Sequence, residues 1–326
     1  MKSRFVRWVL GFFFLLLLVV LLGPRVKIDT TLHTKPLPKD LEAYLKKQKA
    51  RFPDITPNTE KKIVWWNSQS KQQTALSVVY LHGFSATRQE IDPFCTLLAK
   101  KLKANVFYTR LRGHGRSSNA MAEASVNDWL NDGAEALEIA RRLGKHVIVV
   151  SSSTGATLAL WLAAQKRYQN LLALITFAPN FFPKDSRAGI LLWPWGKWIG
   201  RLVTGKYRSW KPHNKEQGKY WTTRYPSSVL VTMMGLVELI AKTDLAEVKA
   251  PVLMVYSPKD RVINTQAIEE RFPSLGSVNR KLLRFSKSQD PSQHILAGRI
   301  LSPRTTKPLL LEVLQFLKPL LPKNPR

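Results

Sequence analysis

Cysteine and acidic residues are scarce in this sequence. Cys95 is the single cysteine among the 326 residues, so no disulfide can form within the chain and the redox compartment cannot be inferred from it. Aspartate and glutamate number 22 against 51 lysines and arginines, which gives a formal net charge of +29. That excess favours contact with anionic surfaces such as phospholipid headgroups or nucleic acid, but a soluble protein with a basic surface has the same composition.

Signatures of metal, nucleotide and sequence-specific nucleic-acid binding are also missing. His33, His146 and His213 have no partners at metal-ligand spacing, and the sequence contains no cluster of cysteine and histidine. No glycine-rich loop follows an apolar run in the way that a phosphate-binding loop requires. We therefore expect no metal, no cofactor and no specific nucleic acid as partner, while the oligomeric state stays open.

One long apolar run lies near the N-terminus. Lys2, Arg4 and Arg7 precede 17 uncharged residues, Trp8 to Pro24, which is the short end of the roughly 17–25 residues of a membrane-spanning helix. A cleaved signal peptide is the alternative, but its apolar region usually has about 7–15 residues and ends at a small-residue cleavage site, which is absent here. We predict an uncleaved single-pass anchor over residues 1–27 in a bacterial inner membrane, and the side of the membrane that carries the folded domain stays open.

Beyond the anchor, the chain is predicted to contain one α/β domain. Residues 28–60 are polar with several prolines and are interpreted as a linker or irregular lead-in. In residues 61–326, short apolar runs alternate with amphipathic stretches, a pattern typical of βαβ units on a mostly parallel central sheet flanked by helices. The apolar runs are KIVWW, ALSVVYL, NVFYTRL, HVIVVS, LLALITFA, PVLMVY and RKLLRF. About 70 residues separate Phe177 from Pro251, and this interval exceeds an ordinary crossover helix of roughly 10–15 residues, so we predict an inserted cap over about 180–246.

The stretch VIVVSSSTGATLALWL changes from a strand pattern to a helix pattern at three serines. A sharp turn from strand to helix needs small residues two positions before and after its central residue, and Ser151 and Gly155 frame Ser153 in this way. Such a turn exposes the Ser153 hydroxyl near a helix N-terminus, where an oxyanion is stabilised. The alternative is that Ser153 only caps the helix beginning at Thr154.

Two other loops supply a carboxylate and an imidazole. Asp260 follows the run PVLMVY, and His294 follows the last predicted strand, so Ser153, Asp260 and His294 come in the chain order of a serine hydrolase of this fold. Taken alone, Asp260 is equally explained as a turn residue and His294 as a residue of a helix N-terminus. In the stretch VVYLHGFSA, a predicted strand ends with His82-Gly83-Phe84, where the backbone N–H of Phe84 could face an oxyanion together with that of Thr154.

From about Lys61 to Leu321, the chain resembles the α/β-hydrolase superfamily, and most of all its monoacylglycerol lipase and carboxylesterase branch. The residues that carry the likeness are HGFSA (82–86), LRGHGRSS (111–118), DWLNDG (128–133), SSSTG (151–155), SPKDRVI (257–263) and PSQHIL (291–296). The resemblance implies that Ser153 is the nucleophile, His294 the base and Asp260 its orienting carboxylate. It also implies an oxyanion hole formed by the backbone N–H groups of Phe84 and Thr154.

Two positions depart from the pattern of the family. Ser151 replaces the usual glycine and tightens the turn, and Arg110 stands where relatives often have an acidic residue. His114, in the motif RGHGRS, is expected to brace a loop below the active site rather than to react. None of these residues alters the predicted triad.

These features predict a membrane-anchored serine hydrolase that cleaves carboxylic esters through an acyl-enzyme intermediate. Its substrates are expected to be lipid-like esters such as monoacylglycerols. A serine at the nucleophile position argues against dehalogenase and epoxide hydrolase chemistry, which uses aspartate there. The alternatives are a thioesterase or acyltransferase with the same triad, and a non-catalytic membrane-tethered binding or scaffold protein of the same fold.

The predicted cap is rich in lysine, arginine and tryptophan. The segment from Lys184 to Arg224 contains ten lysines and arginines and only two acidic residues, Asp185 and Glu216. Five tryptophans are interleaved with these charges: Trp193, Trp195, Trp198, Trp210 and Trp221. This mixture suits a lipid headgroup boundary, although aromatic residues of a cap packed on its own domain give the same pattern. An apolar helix follows, and its Met233, Met234 and Leu236 are candidates for an acyl pocket, with ordinary core packing as the alternative.

Overall fold

The apolar runs of the sequence form strands of one sheet, as predicted. A computed structural model describes residues 2–33, 36–168 and 171–322 of the chain. Its strands are β1 Lys62–Val64, β2 Thr74–Leu81, β3 Asn105–Tyr108, β4 Gly144–Ser152, β5 Ala173–Phe177, β6 Tyr207–Ser209, β7 Arg224–Pro226, β8 Val252–Tyr256 and β9 Arg280–Arg284. The main sheet has the order β1-β3-β2-β4-β5-β8-β9, in which β1 pairs antiparallel with β3 and all other neighbours are parallel.

Helices cover both faces of this sheet. They are α1 Lys2–Leu21, α2 Leu41–Ala50, α3 Phe94–Leu102, α4 Val126–Leu143, α5 Thr154–Ala163, α6 Gly196–Thr204, α7 Lys215–Tyr220, α8 Val229–Lys242, α9 Thr265–Arg271 and α10 Pro303–Leu317. Because side chains alternate along a strand, Val79 and Leu81 of β2 pack under α4, α5 and α8, whereas Val78 and Tyr80 pack under α3 and α10. The fold is therefore the predicted three-layer arrangement, with β4 leading into α5 near the centre of the sheet.

The insertion between β5 and β8 has two parts, a set of short elements and a final helix. It contains α6, the antiparallel pair β6 and β7, and α7. Its last helix, α8, packs instead against the core, since Met234, Leu236 and Ile240 are fully buried there. Helix α8 thus takes the place of the crossover helix between β5 and β8. The predicted range 180–246 combined this core helix with the cap.

The lead-in segment is packed on the domain and is not a free tether. It contains helix α2, whose N-terminus is capped by the Asp40 side chain. Before this helix, the Asn127 side chain on α4 donates hydrogen bonds to the carbonyls of Asp29 and Thr31 at 3.0 and 2.8 Å. Leu41 and Leu45 are buried in the main core. Polar composition had suggested a linker because the apolar residues of this segment are few and widely spaced.

The N-terminal apolar run forms helix α1. Its stretch Arg4–Leu21, 18 residues long, is apolar enough to cross a membrane, and none of it is buried against the domain. A signal sequence near the N-terminus meets the same criteria of length and apolar composition. The predicted anchor therefore coincides with a helix, and its insertion into a membrane stays a prediction.

Candidate active site

Ser153 occupies a strained turn between β4 and α5. Its backbone angles are φ 49° and ψ −119°, in a region that residues with a side chain rarely adopt. Its N–H donates to the carbonyl of Phe177 at 2.8 Å, which fixes the turn to β5. Although Ser153 is the N-cap residue of α5, its side chain makes no capping hydrogen bond. The hydroxyl is therefore not used to end the helix, which removes the capping alternative.

The residues that frame Ser153 show why small side chains are needed there. A Cβ atom on Gly155 would lie 2.2 Å from the carbonyl oxygen of Leu81 and 2.5 Å from that of His82, so only glycine fits. Ser151 is tolerated because its hydroxyl donates a hydrogen bond of 3.4 Å to the carbonyl of Ile175 on β5. Ser151, at a position where glycine is usual, is therefore accommodated within the sheet.

The structure brings His294 and Asp260 together. His294 Nδ1 lies 2.7 Å from Asp260 Oδ2, and both residues are buried. The other carboxylate oxygen accepts hydrogen bonds from the backbone N–H groups of Val262 and Ile263 at 2.7 and 3.1 Å. Asp260 thus shapes its own turn and also contacts the imidazole, and its role as the orienting carboxylate of a triad stays a prediction. His294 lies in a loop and not at a helix N-terminus.

Electrostatics around His294 favour its protonated form. Burial alone lowers the pKa of this imidazole, but the charge of Asp260 and its hydrogen bond, with Asp290 and Glu90 further away, raise it above the ordinary value. A base with a raised pKa accepts a proton more readily once it is neutral. Among the described residues, the Ser153 hydroxyl makes no hydrogen bond, and its proton transfer to His294 stays a prediction. In free enzymes such contacts often tighten only when substrate binds.

Asp290, which sequence reasoning did not single out, builds the loop that carries His294. Its Oδ2 atom accepts from the backbone N–H groups of His294 and Ile295 at 3.0 and 2.8 Å. Its Oδ1 atom accepts from the N–H and hydroxyl of Ser292 at 3.1 and 2.9 Å. Asp290 therefore positions the imidazole through the backbone. The sequence signal was an aspartate beside Pro291, which by itself indicates only a turn.

The two N–H groups predicted to bind an oxyanion lie on segments that touch each other. A Cβ atom on Gly83 would lie 3.3 Å from Ser153 Cβ, so the segment that carries Phe84 is in contact with the turn that carries Thr154. Among the described residues, neither the Phe84 nor the Thr154 N–H donates to a protein acceptor. Both remain available to a substrate oxygen, and their role as an oxyanion hole stays a prediction.

His82 and Glu90 hold the Gly83 segment in place. His82 Nε2 accepts from the N–H of Leu111 at 3.0 Å, so Nδ1 carries the proton and donates to the carbonyl of Gly83 at 2.9 Å. Glu90 Oε1 accepts from the Gly83 N–H at 2.6 Å and from the Tyr80 hydroxyl at 2.7 Å. Gly83 is thus hydrogen-bonded through both its N–H and its carbonyl, and because that carbonyl shares a peptide plane with the Phe84 N–H, the direction of the Phe84 N–H is fixed.

Glu90 is a buried carboxyl beside the reacting groups, and sequence reasoning missed it. A Cβ atom on Gly83 would lie 3.2 Å from Glu90 Oε2, at the same point that touches the side chain of Ser153. Burial raises the pKa of Glu90 to about 7, against the opposing effects of the Gly83 and Tyr80 hydrogen bonds and of His294. Glu90 lies seven residues after Gly83 on a short 3-10 helix, and nothing in its sequence neighbourhood distinguishes it from a surface glutamate.

The three candidates for an acyl pocket are core residues. Met234 and Leu236 are fully buried, and Met233 is nearly so. The Asn180 side chain donates a hydrogen bond of 3.4 Å to the sulfur of Met233, and the Asn180 N–H donates to the carbonyl of Ser153 at 3.3 Å. Met233 therefore approaches the Ser153 turn through Asn180. A role for these three residues in binding an acyl chain stays a prediction.

His114 and Arg110 belong to the framework below the site. The His114 ring is buried 4.9 Å from the ring of His82 and 5.5 Å from that of Trp129. Burial lowers the pKa of His114 well below its ordinary value, so it is neutral and braces the loop, as expected. Arg110 donates to the carbonyl of His114 at 3.1 Å and lies over the ring of Phe52.

Comparison with known protein sequences gives two matches. The profile of the family described as serine aminopeptidase, S33, matches residues 72–288. A thermostable monoacylglycerol lipase from Bacillus sp. (strain H-257) is 23% identical over 216 residues, which cover 65% of this chain and 82% of that protein. The region matched by the family profile contains the Ser153 turn together with Asp260.

Comparison with solved structures shows the fold. One of two metagenome-derived lipolytic enzymes, LipS and LipT, superposes with a TM-score of 0.63 at 19% identity, covering 81% of this chain and 99% of its own. A soluble variant of monoglyceride lipase from Saccharomyces cerevisiae, in complex with a substrate analogue, superposes with a TM-score of 0.60 at 12% identity, over 83% and 99% of the two chains. At these identities the likeness establishes the α/β-hydrolase fold alone.

Proposed function

Because this chain belongs to the hydrolase family described as serine aminopeptidase, S33, we propose that it is a serine esterase that acts through Ser153. The observation that carries the proposal is the combination of a strained turn that presents Ser153 and the 2.7 Å contact between His294 and Asp260. Strain at a turn that makes no use of its side chain for folding is typical of a functional position.

The proposed reaction follows from the placement of these groups. His294 Nε2 accepts the proton of the Ser153 hydroxyl as its oxygen attacks the ester carbonyl, while Asp260 holds the imidazole and stabilises its cation. The N–H groups of Phe84 and Thr154 donate to the carbonyl oxygen as it becomes negative. His294 then returns the proton to the departing alcohol, which leaves an acyl-enzyme. Water, deprotonated by the same imidazole, releases the acid and restores Ser153.

We further propose that the substrates are lipid-like esters reached from a membrane. Relatives described as monoacylglycerol lipases support this class, and helix α1 is long and apolar enough to act as the anchor. The name of the family suggests peptides with a free amino terminus, which carry a positive charge. The cap, with ten lysines and arginines between Lys184 and Arg224 against two acidic residues, repels such a cation, so an uncharged or anionic ester fits better.

Covalent labelling tests the nucleophile. A fluorophosphonate probe, which reacts with an activated serine hydroxyl, should label the wild type and the Ser152→Ala variant but not Ser153→Ala. Turnover of p-nitrophenyl butyrate should follow the same pattern, with a loss on the order of 10⁴ for Ser153→Ala. Labelling and turnover that survive in Ser153→Ala would refute the assignment, and absence of both in the wild type would favour a binding protein.

The acyl acceptor and the leaving group need a separate measurement. Release of free fatty acid from dispersed monoacylglycerol, compared with release from an acyl thioester, distinguishes an esterase from a thioesterase. Formation of a new ester when a primary alcohol is added would instead indicate acyl transfer. We expect hydrolysis of monoacylglycerol to dominate.

A further inference from the structure

The end of helix α1 is joined to the cap by Trp195. The indole Nε1–H of Trp195 donates to the carbonyl of Val19 at 2.9 Å, which satisfies one of the carbonyls left open at the end of a helix. Its backbone N–H donates to the carbonyl of Pro24, also at 2.9 Å. A Cβ atom on Gly23 would lie 2.0 Å from Trp195 Nε1, so the indole covers a position where only glycine fits. The exit of α1 is therefore fixed beside α6.

The chain after this junction runs onto the core and leaves a cavity beside it. Val26 packs against α8, where a Cβ atom on Gly235 would lie 2.7 Å from Val26 Cγ2. Between the junction, α6 and the start of α8 lies a cavity of about 310 Å³. That volume is comparable to those of small-ligand sites, which begin at roughly 300 Å³.

Three cations lie among the mainly apolar residues that line this cavity. Arg25, Lys27 and Lys197 line it, and no aspartate or glutamate does. Within the described residues, none of these three cations forms an ion pair with a carboxylate. Ser228 also lines the cavity, and its side chain makes no capping hydrogen bond at the start of α8. Three cations and a free hydroxyl around one cavity are suited to an anion with several oxygen atoms, such as a phosphate ester.

Helix α6, which borders the cavity, carries exposed apolar side chains. Trp198 lines the cavity and is half exposed, and on the same helix Leu202 and Val203 are 85% and 75% exposed. Large apolar side chains next to cations are typical of a segment that lies at a lipid headgroup boundary. Helix α1 ends beside α6. The headgroup boundary that α6 would meet therefore belongs to the membrane that α1 would enter.

We propose that the cavity between the α1 junction, α6 and α8 binds the phosphate-bearing headgroup of an anionic membrane phospholipid. The proposal rests on the membrane anchoring proposed above. In the bound state, the phosphate lies among Arg25, Lys27 and Lys197 and accepts a hydrogen bond from Ser228, while the acyl chains extend along Trp198 and Leu202. The headgroup thus docks α6 onto the bilayer and holds the cap at its surface.

Lipid binding to the full chain tests this site. Native mass spectrometry of the detergent-solubilised protein, in the Ser153→Ala background so that no lipid is hydrolysed, should show retention of phosphatidylglycerol over phosphatidylcholine. A combined Arg25→Gln, Lys27→Gln and Lys197→Gln variant should lose about fivefold in affinity per removed charge, on the order of 100-fold in all. A control with Lys100→Gln, Lys101→Gln and Lys307→Gln, which removes three exposed lysines of α3 and α10, should retain the lipid.

A second variant distinguishes a built site from general surface charge. Ser228→Ala leaves the net charge unchanged and should weaken phosphatidylglycerol binding by about tenfold, because a hydrogen bond to an anion is lost. Equal loss of lipid in the α3 and α10 control, or unchanged binding in the triple variant, would overturn the proposal. Displacement of the lipid by millimolar inorganic phosphate would identify a free phosphate site and overturn the membrane assignment. Because this assay measures lipid binding in the Ser153→Ala background, its outcome does not depend on whether Ser153 is the nucleophile. A failed esterase assignment and a failed lipid site can therefore be told apart.

Discussion

Replacement of Glu90 by glutamine should change the stability of the fold in a manner that depends on pH. The pKa of Glu90 is raised by burial to about 7 from an ordinary value of 4.5, and this difference corresponds to about 3 kcal/mol. Because the pKa is raised on folding, the wild type loses this stability as the pH rises from 4.5 through 7. Glutamine keeps the acceptor for the Gly83 N–H and the Tyr80 hydroxyl but cannot ionise.

Urea unfolding of the detergent-solubilised chain, followed by tryptophan fluorescence at pH 5 and pH 8, measures the effect. The stability of Glu90→Gln relative to the wild type should improve by most of that 3 kcal/mol between the two pH values. Any constant cost of the substitution cancels in this double difference. Glu269→Gln is the matched control, because a hydrogen bond from Tyr256 lowers the pKa of Glu269, so its charge does not change over this range.

The same substitution should shift the pH dependence of catalysis. The charge of Glu90 contributes to raising the pKa of His294, so the acidic limb of kcat/KM should move to lower pH in Glu90→Gln. Turnover at pH 8 should stay within about tenfold of the wild type, since the Gly83 hydrogen bond survives. A stability difference that is equal at pH 5 and pH 8, with an unmoved acidic limb, would refute this account of Glu90.

Three further predictions concern the triad, the turn and the anchor. His294→Ala should lower esterase turnover on the order of 10⁴-fold, and Asp260→Asn somewhat less, when soluble ester is the substrate. Gly155→Ala should destabilise the fold by about 3 kcal/mol or more because its Cβ would meet backbone carbonyls. Gly189→Ala, whose Cβ would make only an ordinary contact of 3.7 Å with the Phe182 ring, should cost less than about 1 kcal/mol, and thermal unfolding compares the two variants. The full chain should resist carbonate extraction from membranes, whereas a chain beginning at Ile28 should be released, and a mature N-terminus downstream of the apolar run would show a cleaved signal sequence instead.

The strands could be predicted because the apolar pattern of each short segment is enough to indicate a strand. In β4 and β5, unbroken apolar runs indicate strands buried on both faces, and the run ending at Ser153 predicts the turn from residue size alone. Asp260 and His294 followed from their position after strands. The contact between them, 34 residues apart in sequence, was expected from the fold rather than read from spacing.

Residues whose role depends on distant partners were not predictable. Glu90 differs from a surface glutamate only because β2 brings Tyr80 and Gly83 to it, and Asp290 acts through backbone N–H groups that any residue supplies. The core position of α8 could not be read from its sequence, because a mostly apolar helix suits either a cap or a core. The sequence left a linker and an irregular lead-in both open for residues 28–60, because the contacts that hold this segment are with Asn127 and Asn131 of α4, about 100 residues away.

The short passage from α1 to the domain determines how such an enzyme meets its substrate. Helix α1 ends at Leu21 and Val26 already packs against α8, so the link spans at most about 18 Å when fully extended. If α1 enters a bilayer, as proposed, the domain is held close to its surface and searches for an ester in two dimensions. Its rate then follows the mole fraction of ester among the lipids, and dilution of the bilayer with inert lipid slows the reaction even when the total ester in the vessel is unchanged.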